Sequence, residues 1–213
     1  TERGQHAAAA AILAEAPAEL RGFEWHHARA RLEPWWREYE LPAPQVGSLC
    51  YLPDGGRVVT ATANGSVALV DLASGQVTEP FRCEGKVQDL AVHGGDSVTK
   101  IAAASDDGRV FEWNVGVPGE PQSLEGNGKS PFQLAYAADG RLFGLSRERI
   151  VCWEGGRLRE VAPIEGTEPF ASFAVSRDGA HAIAVREARE NRVLCWDTAT
   201  GRVTSAAEMS RAI

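Results

Sequence analysis

Five histidines (His6, His26, His27, His93, His181) and four cysteines (Cys50, Cys83, Cys152, Cys195) are the residues most able to hold a metal or act as nucleophile and base. Neither set has ligand spacing. With no C-x-x-C pair and no H-E-x-x-H, a zinc ribbon, a thioredoxin-type redox pair and a zincin helix are excluded at the level of sequence. His26 and His27 are adjacent, and adjacent side chains on a helix diverge by about 100°, too far to share one ion. Free cysteine is among the most buried residue types, so buried strand thiols are the expectation. Gly128-Lys129-Ser130 has the ending of a phosphate-cradling loop. That loop needs Gly where Ser123 stands and must open a helix, whereas Pro131-Phe132 opens a strand. Gly144-Leu145-Ser146-Arg147 lacks the second glycine of a nucleophile elbow. Carboxylates cluster in Asp-Gly turns, where Asp bonds its own backbone. The expectation is no catalytic residue, no cofactor and no metal.

The 213 residues are 44% hydrophobic and 24% charged, with a net charge of −7 and 22 glycines. A chain of this length can bury a sizeable core. Nucleic-acid binders carry a basic patch or stripe, and no Lys/Arg cluster occurs here, which argues against DNA or RNA as the main partner. No apolar run reaches the roughly 18–20 residues that span a bilayer. The run Ala7–Ala14 has only Arg3 ahead of it, so it reads as an alanine-rich helix and not as a secretory signal. The sequence starts at Thr1, and a fragment or processed product is expected.

Two regions differ in grammar. Residues 1–44 read as a helical segment and linker. Ala7–Glu15 is one expected helix, interrupted by Pro17. Ala18–Leu32 is the second, with Leu20, Phe23, His27 and Ala30 or Arg31 at helical spacing and Phe23 as its strongest anchor. Gly22 weakens it, Glu33-Pro34 stops it, and Pro42 and Pro44 mark an extended linker. From Gln45 onward, short apolar runs alternate with Gly, Asp and Asn turns, the signature of strands in a sandwich, barrel or propeller.

Four segments of that second region repeat one order of parts: Val46–Val77, Val87–Glu120, Phe132–Leu158 and Phe170–Val203. An apolar strand ends in a turn at Pro53-Asp54-Gly55, Gly94-Gly95-Asp96, Ala138-Asp139-Gly140 or Arg177-Asp178-Gly179. A strand of small residues follows. A second turn is clearest at Asn64-Gly65 and Asp107-Gly108. A third strand ends in a dipeptide: Val70-Asp71, Trp113-Asn114, Trp153-Glu154 or Trp196-Asp197. The second dipeptide residues fall at 71, 114, 154 and 197, in steps of 43, 40 and 43. Four-stranded propeller blades repeat at about 40–45 residues. Strands packed on both faces should read as near-continuous apolar runs, as KIAAA and HAIAV do. The three tryptophans are expected to fill the space between blades. Expected blades cover residues 45–85, 86–129, 130–166 and 167–213, and the fold class is all-β.

These repeats resemble the WD40-repeat β-propeller family, in its divergent bacterial form, from about Gln45 to Met209. The Gly-His pair that usually opens each repeat is replaced by Gly85-Lys86, Gly128-Lys129 and Gly166-Thr167. The family's Asp–His–Ser–Trp hydrogen-bond network is therefore incomplete. The string Leu20–Leu32 resembles the short helix preceding the propeller in bacterial Hanks-type serine/threonine kinases with C-terminal WD40 repeats. Leu20, Arg21, Gly22, Glu24 and Trp25 match, Phe23 is a conservative swap, and His27-Ala28 departs. No G-x-G-x-x-G-x-V loop, H-R-D or D-F-G occurs, so kinase activity is not assigned to these residues.

The resemblance implies a non-catalytic scaffold that binds a protein or peptide on a propeller face. The alternative is a sensor or docking region of a membrane-anchored kinase whose catalytic domain lies outside this sequence. The scaffold would lie in the cytoplasm. Within such a receptor-like kinase it would lie on the extracytoplasmic side of a bacterial membrane. A third class, a quinoprotein-type propeller enzyme, is echoed by Asp71–Gly75 and Asp197–Gly201, but the docking tryptophan of that repeat is missing. Four blades imply an incomplete ring, and open blade edges invite pairing with another chain.

Overall fold

In the computed structural model, the described residues are 8–9, 11–17, 21–32, 39–41, 46–94, 98–124, 133–146, 149–163, 170–186 and 192–208. The chain divides into two units, Thr1–Tyr39 and Glu40–Ile213.

The first unit is helical at 8–9 and 11–14 and in α1 (Phe23–Leu32). The expected second helix thus starts at Phe23, because Arg21 and Gly22 serve the turn before it. Arg21 reaches back to donate from Nε to the Ala16 carbonyl at 3.0 Å and from Nη2 to the Ala14 carbonyl at 3.3 Å. Trp25 Nε1–H donates to the Leu13 carbonyl at 2.8 Å. Carbonyls at a helix C-terminus lack intrahelical partners, and cationic or N–H side chains satisfy them. The guanidiniums of Arg21 and Arg29 lie 5.0 and 5.1 Å from the Trp25 ring centroid, within cation–π reach. Phe23 corrects an expectation: it is 79% exposed and stacks on His27, at 5.8 Å. Helical spacing gives a residue its place on the helix, not something to pack on.

Among the described residues, the second unit contains sixteen strands in four four-stranded antiparallel sheets. Sheet 1 is β1 (Val46–Tyr51), β2 (Arg57–Thr62), β3 (Ser66–Asp71) and β4 (Val77–Arg82). Sheet 2 is β5 (Val87–Gly94), β6 (Thr99–Ser105), β7 (Val110–Asn114) and β8 (Gln122–Leu124). Sheet 3 is β9 (Gln133–Tyr136), β10 (Leu142–Leu145), β11 (Arg149–Glu154) and β12 (Arg157–Pro163). Sheet 4 is β13 (Phe170–Val175), β14 (His181–Arg186), β15 (Arg192–Asp197) and β16 (Val203–Glu208). Within every sheet, strands pair in chain order, so tight turns suffice as connections.

First strands meet in succession: β1 lies against β5, β5 against β9, and β9 against β13. No contact of comparable extent joins β13 to β1 among the described residues. The register aligns the four sheets column by column. Val59, Ala102, Phe143 and Ile183 hold one position in the second strands, opposite Leu69, Glu112, Cys152 and Cys195 in the third. Side chains alternate across a strand, so each column belongs to one face.

Three hydrophobic clusters fill the junctions. Sheets 1 and 2 bury Val59, Ala61 and Val67 against Leu90, Ile101 and Ala103. Sheets 2 and 3 bury Ala102, Ala104 and Val110 against Leu134, Leu142 and Trp153. Sheets 3 and 4 bury Phe143, Leu145 and Ile150 against Phe170, Ala184 and Trp196. Trp153 and Trp196 are buried, while Trp113 is half-buried and lies 5.8 Å from Phe81 of β4. Each tryptophan therefore packs on the preceding sheet. Ala102, Ala103 and Ala104 are fully buried, and such small side chains let neighbouring sheets close to crystal-like packing density.

Candidate functional site

The inner strands are tied by a polar column inside an otherwise apolar stretch. Ser48 of β1, Asp89 of β5, Gln133 of β9 and Ser172 of β13 occupy corresponding register positions. Leu90 N–H donates to Ser48 Oγ at 3.2 Å, and Leu134 N–H donates to Asp89 Oδ2 at 2.8 Å. In both cases a side chain of one sheet satisfies an inner-strand N–H of the next. Ser48 Oγ–H also donates to Asp89 Oδ1 at 3.0 Å, so one carboxylate links three sheets. Burial is the dominant influence on Asp89 and pushes its carboxyl above the ordinary carboxylate range, against the hydrogen bonds from Leu134, Leu90 and Ser48.

A second polar group spans sheets 2 and 3. Glu112 of β7 accepts from Lys100 Nζ at 3.1 Å and from the Tyr136 hydroxyl at 2.6 Å. His93 lies 5.5 Å from the Tyr136 ring. Burial first, then the Glu112 carboxylate, raises the Tyr136 phenol far above its usual value, so it remains a neutral donor. Both carboxylate oxygens of Glu112 are occupied. The arrangement is a cross-sheet tie, with the lysine balancing the charge that Glu112 brings into an apolar column.

The turn acids act locally. Asp54, Asp139 and Asp178 sit in the turns between the first and second strands of sheets 1, 3 and 4, and Asp107 sits between β6 and β7. Asp54 accepts from Gly56 N–H at 2.9 Å and from Arg57 Nε at 2.7 Å. Asp107 and Asp139 bind Arg109 and Arg141 in the same way, each at 2.7 Å to Nε. Asp178 accepts from Ala180 N–H at 3.0 Å and from the Ser176 hydroxyl at 2.6 Å. Asp71 and Asp197 cap matching turns: each Oδ1 accepts from the backbone N–H three residues on, at 2.7 Å. These bonds hold all six carboxyls below the ordinary range. Asn114 and Glu154 end their strands exposed. The structure brings these acids into separate turns and not into one site. The Asp71 and Asp197 strings that echo a quinoprotein repeat are such turns.

All four cysteines are free thiols, with Cys83 and Cys152 buried. Among the described residues, no group of three or more His, Cys, Asp or Glu could hold a metal ion. No helix is long and apolar enough to cross a membrane, again among the described residues. His6, Gly95-Asp96, Gly128-Lys129-Ser130, Gly166-Thr167 and Met209 lie outside the described residues.

Exposed apolar surface concentrates on β1. Leu49 is 59% exposed, whereas its counterparts Leu90 and Leu134 are 3% and 8% exposed. Tyr51, on the same face two residues on, is also exposed. The adjoining β2 and β3 residues of that face, Val58, Thr60, Ala68 and Val70, are buried. What remains open is a strip one strand wide. Ser48, Asp89, Lys100, Glu112 and Tyr136 escape single-repeat reading. A polar residue in a column that is otherwise apolar, read down the aligned repeats, is the signal that would find Glu112. No protein-family model matches this chain, and no curated protein matches it.

Proposed function

We propose that the four sheets are blades of a WD40-like β-propeller forming an incomplete ring, and that the chain is a non-catalytic scaffold for a protein or peptide. The arc is supported by the succession β1–β5–β9–β13 without a comparable return from β13 to β1. The observation carrying the binding role is the strip formed by Leu49 and Tyr51, with Leu49 open at a position that sheets 2 and 3 bury. Contiguous exposed apolar surface marks interaction sites, and a strip one strand wide fits an extended peptide.

Selection of a random-peptide display library on the immobilised chain tests this. The expected result is enriched peptides whose binding is lost in Tyr51→Asp and retained in Asp139→Asn. Absence of enrichment, or binders indifferent to Tyr51→Asp, would overturn the reading.

A second reading, a docking region of a membrane-anchored serine/threonine kinase, is favoured by the first unit. Arg21 and Trp25, two residues of the matching string, both serve as caps for preceding carbonyls, so that string has a structural reason to recur. The reading frame upstream of Thr1 tests it: a kinase catalytic loop there supports it, and a frame without one removes it.

A further inference from the structure

The turn between β2 and β3 carries Asn64-Gly65. Asparagine before glycine is the pairing most open to deamidation, because no side chain screens the glycine nitrogen from the asparagine Cγ. In this turn both reacting groups are held. Gly65 N–H donates to the Thr62 carbonyl at 3.1 Å. Asn64 Oδ1 accepts from the Thr62 hydroxyl at 2.6 Å and from Ser66 N–H at 3.2 Å. Thr62 and Ser66 are fully buried, so the groups that hold the exposed Asn64 are themselves fixed in the core. Gly65, at φ +84°, is closed in from the other side. Its carbonyl accepts from Cys83 N–H at 2.8 Å, and a Cβ there would strike the Cys83 and Gly85 carbonyl oxygens.

We infer that Asn64 is a deamidation site gated by this turn, spared while the turn is closed and modified when it opens, with one product that cannot rebuild it. In the reaction the Gly65 nitrogen gives up its proton to water and attacks Asn64 Cγ. The N–Cγ bond forms, and the Cγ–Nδ2 bond breaks as ammonia leaves. Water then opens the cyclic imide at either carbonyl, giving aspartate or isoaspartate. In the closed turn the Gly65 N–H is committed to Thr62 and the carboxamide is fixed through Oδ1. Attack therefore waits on local opening of the hairpin. The aspartate product fits. Asp107 holds the same place in the β6–β7 turn, where its Oδ1 accepts from Arg109 N–H at 3.0 Å and Gly108 N–H donates to the Ser105 carbonyl at 3.1 Å. Aspartate at position 64 can accept from Ser66 N–H and the Thr62 hydroxyl in the same way. The isoaspartate product does not fit. It runs the main chain through Cβ and Cγ, which adds a backbone atom beside a glycine that has no room toward Cys83 and Gly85.

Ageing the full chain in mildly alkaline buffer, native and guanidinium-unfolded, tests this. Peptide mass mapping reads Asn64 separately from Asn127-Gly128, a second such pair that lies outside the described residues. Asn64 should deamidate more than about ten-fold more slowly in the native chain than in the unfolded one. Thr62→Val removes one of the two donors on Oδ1 and should speed the native reaction about three-fold or more, with unchanged far-ultraviolet circular dichroism. Asn64→Asp should melt with the parent, whereas the purified isoaspartate product should melt below it. Equal rates in the native and unfolded chains overturn the inference, and this comparison decides even where Thr62→Val fails to fold. An unchanged rate in a natively folded Thr62→Val overturns the gating, and an isoaspartate product that melts with the parent overturns the one-way outcome. None of these readouts involves the β1 strip, so the inference and the scaffold reading can fail separately.

Discussion

Phe143 in β10 and Ile183 in β14 hold one column, flanked by Cys152 and Cys195 in the adjoining strands. Sheet 3 lies between two neighbours, and its Phe143 and Cys152 are fully buried. Among the described residues sheet 4 has one neighbour, and in the same column Ile183 is 41% exposed and Cys195 half-buried. The chemistry of the two faces is nearly alike, so composition alone does not decide burial. For Phe143 and Ile183 the difference is the sheet that packs over Phe143. A large apolar side chain fully withdrawn from water contributes about 1.5–3 kcal/mol, and sheet 4 obtains that contribution from one face only.

The largest expected difference between the sheets comes from truncating the shared column. Phe143→Ala should cost about 3–5 kcal/mol, a large core side chain removed from a site that cannot collapse. Ile183→Ala should cost about 1 kcal/mol or less, as for other open positions. Urea denaturation measures both, and equal losses would break the distinction.

The turns offer the next contrast. Gly201, in the β15–β16 turn, has φ +69° and lies where a Cβ would meet the Val161 carbonyl of sheet 3. Gly155, in the β11–β12 turn, has φ +58° with open space around it. Both substitutions carry left-handed backbone strain, and only the first adds a clash at the junction. Gly201→Ala should cost about 1–3 kcal/mol, and Gly155→Ala about 1 kcal/mol. Thermal unfolding of the two variants should rank them in that order, and a reversed order would show that sheet 3 does not abut this turn.

The smallest effect concerns the tie that sheet 4 lacks on its open side. Burial raises the Asp89 carboxyl, so the folded chain holds that proton more readily than the unfolded chain does. Stability from this group is then fully present below the unfolded value of about 3.9 and is lost as pH rises through the folded value. Asp89→Asn keeps an acceptor for Leu134 N–H and removes the buried charge. It should be more stable than the parent at neutral pH, with the gap closing as pH falls toward about 4. Urea midpoints across that range measure it, and an Asn variant weaker at neutral pH would mean that the charge itself holds the sheets.

Much of the strand order was legible because it is written locally. Asp-Gly and Asn-Gly turns and small-residue strands recur at one period, and four four-stranded sheets follow from them. Trp153 and Trp196 are buried as large aromatic side chains in a short apolar strand should be. Other features depend on residues far apart in sequence. Asp89 meets Ser48 and Leu134, which lie in different repeats, and no window within one repeat contains all three. Glu112 reads as a surface charge until Tyr136 and Lys100 are brought to it. Phe23 reads as an anchor because spacing places it on a face, but spacing carries no information about what that face meets. Likewise the openness of Ile183 is invisible in a run, HAIAV, that looks as buried as its relatives.

Cys152 and Cys195 provide the most direct test, because they hold one column in sheets 3 and 4 and need no substitution to be read. Thiol modification of the native chain, with the modified sites identified by peptide mass, should label Cys195 and spare Cys152 at high dilution. Equal labelling of Cys152 and Cys195 at high dilution, or labelling of Cys152 ahead of Cys195, would contradict the account of a sealed sheet 3 and an open sheet 4.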